Sequence, residues 1–189
     1  MGKKDGVDEV QHRYKYWRIR ILYNMYFGYA VFYFTRKSLT FVAPVLISKH
    51  ILSATSFGVI GTFFYLFYGL SKFLSGIISD RVNARYFMST GLIITGVANI
   101  FFGLSSHFLG FFIFWLINAI FQGWGWPPCA KLLTHWYPRS ERGRWWSLWN
   151  TCHNVGGALI PLLISFLLLT FASWKIAMIV PGVLGVVMG

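Results

Sequence analysis

Three cations and a histidine stand where an apolar chain has least use for them. Arg36 and Lys37 close an uncharged run at 21–35, Lys72 closes another at 50–71, and His153 lies inside a third at 145–174. An ionic side chain at the centre of a bilayer costs about 2.5 to 3.5 kcal/mol on insertion scales, so each needs a reason. The five acidic residues, Asp5, Asp8, Glu9, Asp80 and Glu141, all fall in the N-terminal tail or in short charged segments, and none shares a run with these cations. Negative charge has to come from elsewhere. An anionic substrate would supply it.

The spacing groups these residues with others. Tyr26, Tyr29, Tyr33 and Arg36 follow intervals of three, four and three, one face of a helix. Trp146, Asn150, His153 and Gly157 do the same further along. A guanidinium forks onto a phosphate through two donors, a lysine adds a point charge, and tyrosine hydroxyls complete the shell. A phosphate monoester, with a second pKa of about 6, carries nearly two negative charges at neutral pH. A histidine of unperturbed pKa about 6.5 can change charge alongside it. A carboxylate would satisfy the same arithmetic, so the residue types give an anion and not which one. The tyrosines also have a plainer reading as apolar packing, and Lys72, about seven residues from its helix end, is within snorkelling distance of the headgroups. Arg36, some 15 residues into its helix, is not. Lys37 points about 100° away from it.

The elements that must hold these residues follow from composition. Of 189 residues, 56% are hydrophobic, 20% aromatic and only 12% charged, which excludes an ordinary soluble domain. A helix crossing a bilayer needs about 20 apolar residues. After a tail at 1–20, the sequence predicts spans at about 21–47, 54–79, 86–104, 108–130 and 145–171, and an incomplete one at 174–189. Pro44 predicts a bend in the first, and Trp126-Pro127-Pro128 a break in the fourth. The expected connections are turns at 48–53, 80–85 and 105–107 and a charged loop at 138–144. Sixteen residues at about 1.5 Å each fall short of a hydrocarbon core of about 30 Å, so the chain reads as a fragment.

Charge placement orients the spans. Six basic residues of the first 20 (Lys3, Lys4, Arg13, Lys15, Arg18, Arg20) join Arg81, Arg85, Arg139, Arg142 and Arg144 on one side, 11 of the 17, which predicts a cytoplasmic N-terminus. That distribution accounts for the +12 net charge through the membrane's inner face and leaves no need for nucleic acid. The first run continues into Arg36 without a cleavage signature, so it reads as an uncleaved span, favouring a bacterial inner membrane. Cys129 and Cys152 sit in apolar runs and read as free thiols. The spans contain no Asp/Glu pair and no metal-ligand cluster, and Cys152 and His153 diverge by about 100° on a helix, so neither an enzyme nor a cofactor is expected.

Three segments carry a resemblance: Thr35-Arg36-Lys37, Gly123 to Cys129 (GWGWPPC) and Trp149 to Gly157 (WNTCHNVGG). In order and spacing they resemble the organophosphate:phosphate antiporters of the major facilitator superfamily, which include carriers of glycerol 3-phosphate and hexose 6-phosphate. The resemblance runs from about Tyr14 to about Pro181. It implies an all-α integral membrane fold, the N-terminal six-helix half of a twelve-helix protein, cut within helix six. It also implies a midplane site reached by alternating access, where inorganic phosphate is exchanged for an organic phosphate. By this likeness Arg36 matches the phosphate-binding arginine. Lys72, Tyr29, Tyr33, Trp126, Asn150 and His153 match pathway residues, and Lys37 matches a lysine that pairs with acids of the opposite half.

Residues 76–85 and 138–143 resemble the superfamily's two cytoplasmic loops, implying a conformational charge lock of Asp80, Arg81, Arg85, Glu141 and Arg142. Asn83 replaces the usual glycine, and its tolerance of left-handed angles lets the turn survive. The second phosphate-binding arginine belongs to helix seven, so the clamp's other part and the rest of the headgroup site are expected in the missing C-terminal half. Membrane sensors of sugar phosphate that signal to a histidine kinase resemble the same family, and these motifs do not separate the two. A non-transporting helical scaffold is a further reading.

Overall fold

A computed structural model describes the backbone of residues 2–189 and the side chains from Glu9 onward, so the tail residues Lys3, Lys4, Asp5 and Asp8 lie outside the described side chains. The described chain is wholly helical, with seven segments: α1 (Gly2–Ser48), α2 (Ala54–Arg81), α3 (Ala84–Leu104), α4 (Phe108–Gln122), α5 (Trp126–Trp136), α6 (Arg139–Phe171) and α7 (Trp174–Met188). α4 and α5 are two parts of one rod. Five rods are long and apolar enough to cross a membrane, and α7, at 15 residues, is a shorter apolar helix.

The helices overrun the apolar runs at several ends. The tail is not a separate segment but the start of α1, and the charged loop expected at 138–144 is the first turns of α6. Hydropathy marks where the hydrocarbon is; the hydrogen-bond ladder continues past it into the polar zone. The turn expected at 80–85 shrinks to Val82 and Asn83. Asn83 is not left-handed there: it is extended at φ −70°, ψ 118°, and caps α3 by accepting the Arg85 amide at 3.0 Å. An N-cap needs extended backbone and a side-chain oxygen, so asparagine fits better than glycine. Pro44 leaves α1 helical through to Ser48.

The break in the fourth rod falls at Gly123–Gly125, one step before the prolines. Pro127 and Pro128 open α5, where the first amides have no intrahelical acceptor to lose. Their missing N–H groups instead strip the carbonyls four residues earlier, those of Gly123 and Trp124. The Ser75 hydroxyl donates to the Gly123 carbonyl at 2.8 Å. Ser71 donates to the Ile120 carbonyl, which also accepts the Gly123 amide at 3.3 Å. In hydrocarbon a stripped carbonyl needs an internal partner, and Ser75 of α2 provides one.

Two apolar clusters pack the bundle. Leu39, Leu46, Phe64, Phe102, Phe111, Trp115 and Ile160 form one, and Met25, Tyr29, Phe32, Leu92, Leu133, Trp149 and Cys152 the other. Between them lies a layer of fully buried polar side chains: Thr35, Ser38, Thr95, Asn99, Asn118 and Gln122. Lipid is as apolar as leucine, so close packing rather than water exclusion holds such helices together. The glycines show it. A Cβ on Gly156 would stand 2.7 Å from the Ala30 carbonyl, which lets α6 lie directly against the site-bearing turn of α1.

Candidate anion site

Arg36 sits in the last third of α1, next to Thr35 of the polar layer. Its guanidinium lies over the Tyr33 ring at 4.1 Å, and one terminal nitrogen donates to the Tyr68 hydroxyl at 3.0 Å. Its Nε is buried and has no hydrogen-bond partner among the described residues. Tyr68 lies on α2 one turn before Lys72. The Lys72 ammonium is 5.9 Å from the Tyr68 ring and 5.3 Å from the Trp126 ring, which opens α5. Tyrosine and tryptophan faces stabilise both cations without neutralising them.

His153 of α6 faces the same group. Its ring centroid is 4.8 Å from Tyr29, 5.5 Å from Tyr33 and 5.2 Å from the buried Trp149. Nδ1 is 2.8 Å from the Asn150 carbonyl, which can only accept, so Nδ1 carries the proton. Nε2 makes no hydrogen bond among the described residues and is the ring's open nitrogen. Four helices therefore bring together six residues picked out by spacing and resemblance: Arg36, Tyr29, Tyr33, Lys72, Trp126 and His153.

Three others stand apart. The Asn150 side chain is exposed, and only its carbonyl meets the cluster. Lys37 is half-buried and makes no hydrogen bond or ion pair among the described residues. Tyr26, on the same stripe as Tyr29 and Tyr33, bonds Thr151 of α6 at 3.0 Å and packs away from the cations. Tyr68, four residues before Lys72, escaped the sequence reading.

The residues expected to form a charge lock make other partners within this half. Glu141 pairs with Arg18 of α1 and accepts from the Trp145 indole at 3.2 Å. These hydrogen bonds, Arg18's first, hold its carboxyl below the usual range. Arg18 in turn lies 4.7 Å from the centre of the Tyr137 ring. Arg142 donates to the Thr134 and Tyr137 carbonyls at 2.8 and 3.2 Å, closing the C-terminus of α5. Asp80, Arg81 and Arg85 are exposed and form no ion pair among the described residues. Lys131, missed in the sequence, reaches the last carbonyls of α2 and its turn: Ser79 at 2.8 Å, Asp80 at 3.1 Å and Val82 at 3.0 Å. A cation there satisfies orphan carbonyls and the negative end of the helix dipole.

Known proteins resemble this chain in sequence and fold. A probable hexose phosphate transport protein of Chlamydia muridarum is 58% identical over 95% of this chain and 39% of its own length. The membrane sensor protein UhpC of Escherichia coli is 52% identical over 96% of this chain and 41% of its own. A glycerol-3-phosphate transporter of Bacillus subtilis is 37% identical over 92% of this chain and 40% of its own. The chain thus spans about two-fifths of the length of the curated relatives it matches. Among solved structures, a bacterial homolog of the human lysosomal transporter Spinster, inward-facing and unoccupied, superposes with a TM-score of 0.79 at 23% identity, over 90% of this chain and 41% of that one. The sequence profile of the Major Facilitator Superfamily matches residues 25–189. With six helical rods that correspond to an N-terminal half of that fold, the chain belongs to the Major Facilitator Superfamily.

Proposed function

We propose that the protein containing this half carries a phosphorylated organic anion, a hexose phosphate or glycerol 3-phosphate, across a bacterial inner membrane in exchange for inorganic phosphate. One observation carries the reading: Arg36, Lys72 and His153 gather around a shared set of aromatic rings, with no carboxylate paired to them among the described residues, and the Arg36 Nε is buried without an acceptor there. A dianionic phosphoryl group answers that need better than a carboxylate, because it offers three acceptor oxygens to a fork and a point charge. The resemblance to carriers of hexose phosphate and glycerol 3-phosphate supports the same class.

Exchange follows from the charge. An empty site keeps its cations unneutralised and passes poorly through an occluded state, whereas a loaded site passes readily. The ligand must therefore bind the occluded state more tightly than the open ones, since equal binding shifts nothing. Arg36 grips the phosphoryl group, Lys72 adds charge from α2, and the open nitrogen of His153 donates when protonated. Tyr29, Tyr33 and Trp126 wall the site; Asn150 and Lys37 face the opposite half. Asp80, Arg81, Arg85, Glu141 and Arg142 serve the cytoplasmic lock.

The 52% identity to a membrane sensor supports a second reading, in which the same site reports external sugar phosphate to a histidine kinase. Counterflow in proteoliposomes separates the two. With the full-length protein and internal unlabelled phosphate, transient accumulation of labelled hexose 6-phosphate above equilibrium is expected of a carrier. Binding without counterflow overturns transport and leaves the sensor.

A further inference from the structure

The polar layer behind the site has no share in the reading above: none of its six side chains bonds Arg36, Lys72 or His153. Its hydrogen bonds are directed at the backbone of α1. The Gln122 amide nitrogen of α4 lies 3.2 Å from the Phe32 carbonyl and 2.8 Å from the Thr35 hydroxyl. The Asn118 amide nitrogen lies 3.1 Å from the Thr35 carbonyl and 3.1 Å from the Asn99 carbonyl oxygen of α3. Asn99 passes the chain on to the Ser38 hydroxyl at 3.2 Å.

The two carbonyls gripped on α1 are the ones that frame Arg36. In an α-helix the Phe32 carbonyl receives the Arg36 amide, and the Thr35 carbonyl belongs to the residue just before it. Gln122 and Asn118 are one turn apart on α4, so they hold two points of α1 at once, which fixes height and rotation together. The Phe32 ring is also wedged at the chain break, where a Cβ on Gly125 would come within 3.1 Å of it. Side-chain hydrogen bonds between membrane helices add little to association on average, so six buried polar groups are poorly explained as glue. They are well explained as a register device, because apolar contacts tolerate small rotations and directed bonds to main-chain carbonyls do not. A rotation of α1 by about 20° carries a group about 6 Å from its axis through roughly 2 Å. Displacements of that size are enough to lose a bidentate contact.

We propose that Gln122 and Asn118 are positioning residues, which lock the rotation of α1 so that the Arg36 guanidinium is aimed at the bound phosphoryl group. The inference rests on Arg36 being the anion's anchor, and its test keeps the two claims apart. Binding of inorganic phosphate and of hexose 6-phosphate to the full-length protein in nanodiscs is measured by titration calorimetry. Gln122→Met keeps length and volume but removes both donors. It is expected to weaken binding of both probes about tenfold with little change in unfolding temperature. Gln122→Glu, neutral in so apolar a site and still able to donate once, is expected to lie nearer the wild type. In an Arg36→Lys background, Gln122→Met is expected to cost nothing more. Equal losses in both backgrounds, or unchanged affinity in Gln122→Met, overturn the positioning role. Should Gln122→Met not fold, Asn118→Leu carries the same expectation of non-additivity. Wild-type protein that binds neither probe overturns the anion site itself, and the positioning role with it.

Discussion

A guanidinium has five donors, and Arg36 commits one of them, to Tyr68. Its flat face rests on Tyr33, which leaves the edge and the buried Nε for a ligand. Arg36→Lys keeps the charge and loses the fork. Hydrogen bonds to charged groups are worth about 1.5 to 3 kcal/mol, and each 1.4 kcal/mol is tenfold, so the KM for organic phosphate should rise about tenfold to a hundredfold. Tyr68→Phe removes only the hydroxyl that steadies the guanidinium and should raise KM by about a factor of five or less. Initial-rate exchange at matched protein amounts reads both; unchanged constants in the lysine variant would remove Arg36 from the site. The cations were legible in the sequence because charge without counter-charge in an apolar run is conspicuous. Tyr68 was not, since one aromatic more in a chain that is 20% aromatic carries no signal of its own. Asn99, Asn118 and Gln122 were also missed: they are neutral, so a charge count passes over them, and only packing shows that they meet.

At the scale of elements, the discontinuity between α4 and α5 is what brings Trp126 next to Lys72. Gly123 permits the approach, since a Cβ there would lie 2.5 Å from the Ser71 hydroxyl and 2.8 Å from the Lys72 amide. Gly123→Val should therefore abolish accumulation of folded protein, whereas Gly58→Val on the same helix as Ser71, where nothing lies within 4 Å, should be tolerated. Fluorescence-detected size exclusion of tagged full-length protein compares them directly, and a well-folded Gly123→Val would contradict the close crossing. Ser75→Ala should cost about 1 kcal/mol, the loss of the only hydroxyl that answers the carbonyl left open by Pro127. The order and number of the rods could be read from the runs of apolar residues. Their ends could not, because Pro138 and Glu141 start α6 by capping geometry and pairing with Arg18, neither of which hydropathy measures. The prolines announced a break, but its location and its repair by Ser75 depend on which helix lies alongside.

For the whole molecule the basic residues predict an orientation, and with it the compartment that each end of the proposed site would face. Arg18, Glu141 and Arg142 join α1, α5 and α6 at one end, and Lys131 joins α5 to the end of α2 there. The opposite end carries fewer cations: Lys49 with two histidines, His50 and His107, at the turns after α1 and α3, and Lys175 at the start of α7. Retention of positive residues on the cytoplasmic side predicts Ser140 inside and Ser106 outside. Both serines are exposed, and the native thiols Cys129 and Cys152 are 0% exposed, so introduced cysteines can be labelled over a quiet background. In intact cells a membrane-impermeant maleimide should modify Ser106→Cys at once and Ser140→Cys only after permeabilisation. The reverse pattern would invert the topology and send the Arg36 site to the other compartment first. Neutralising Arg139, Arg142 and Arg144 together should weaken this bias and let a fraction of the Ser140→Cys protein react from outside. An undiminished bias would mean that the basic residues of α1 orient the bundle alone.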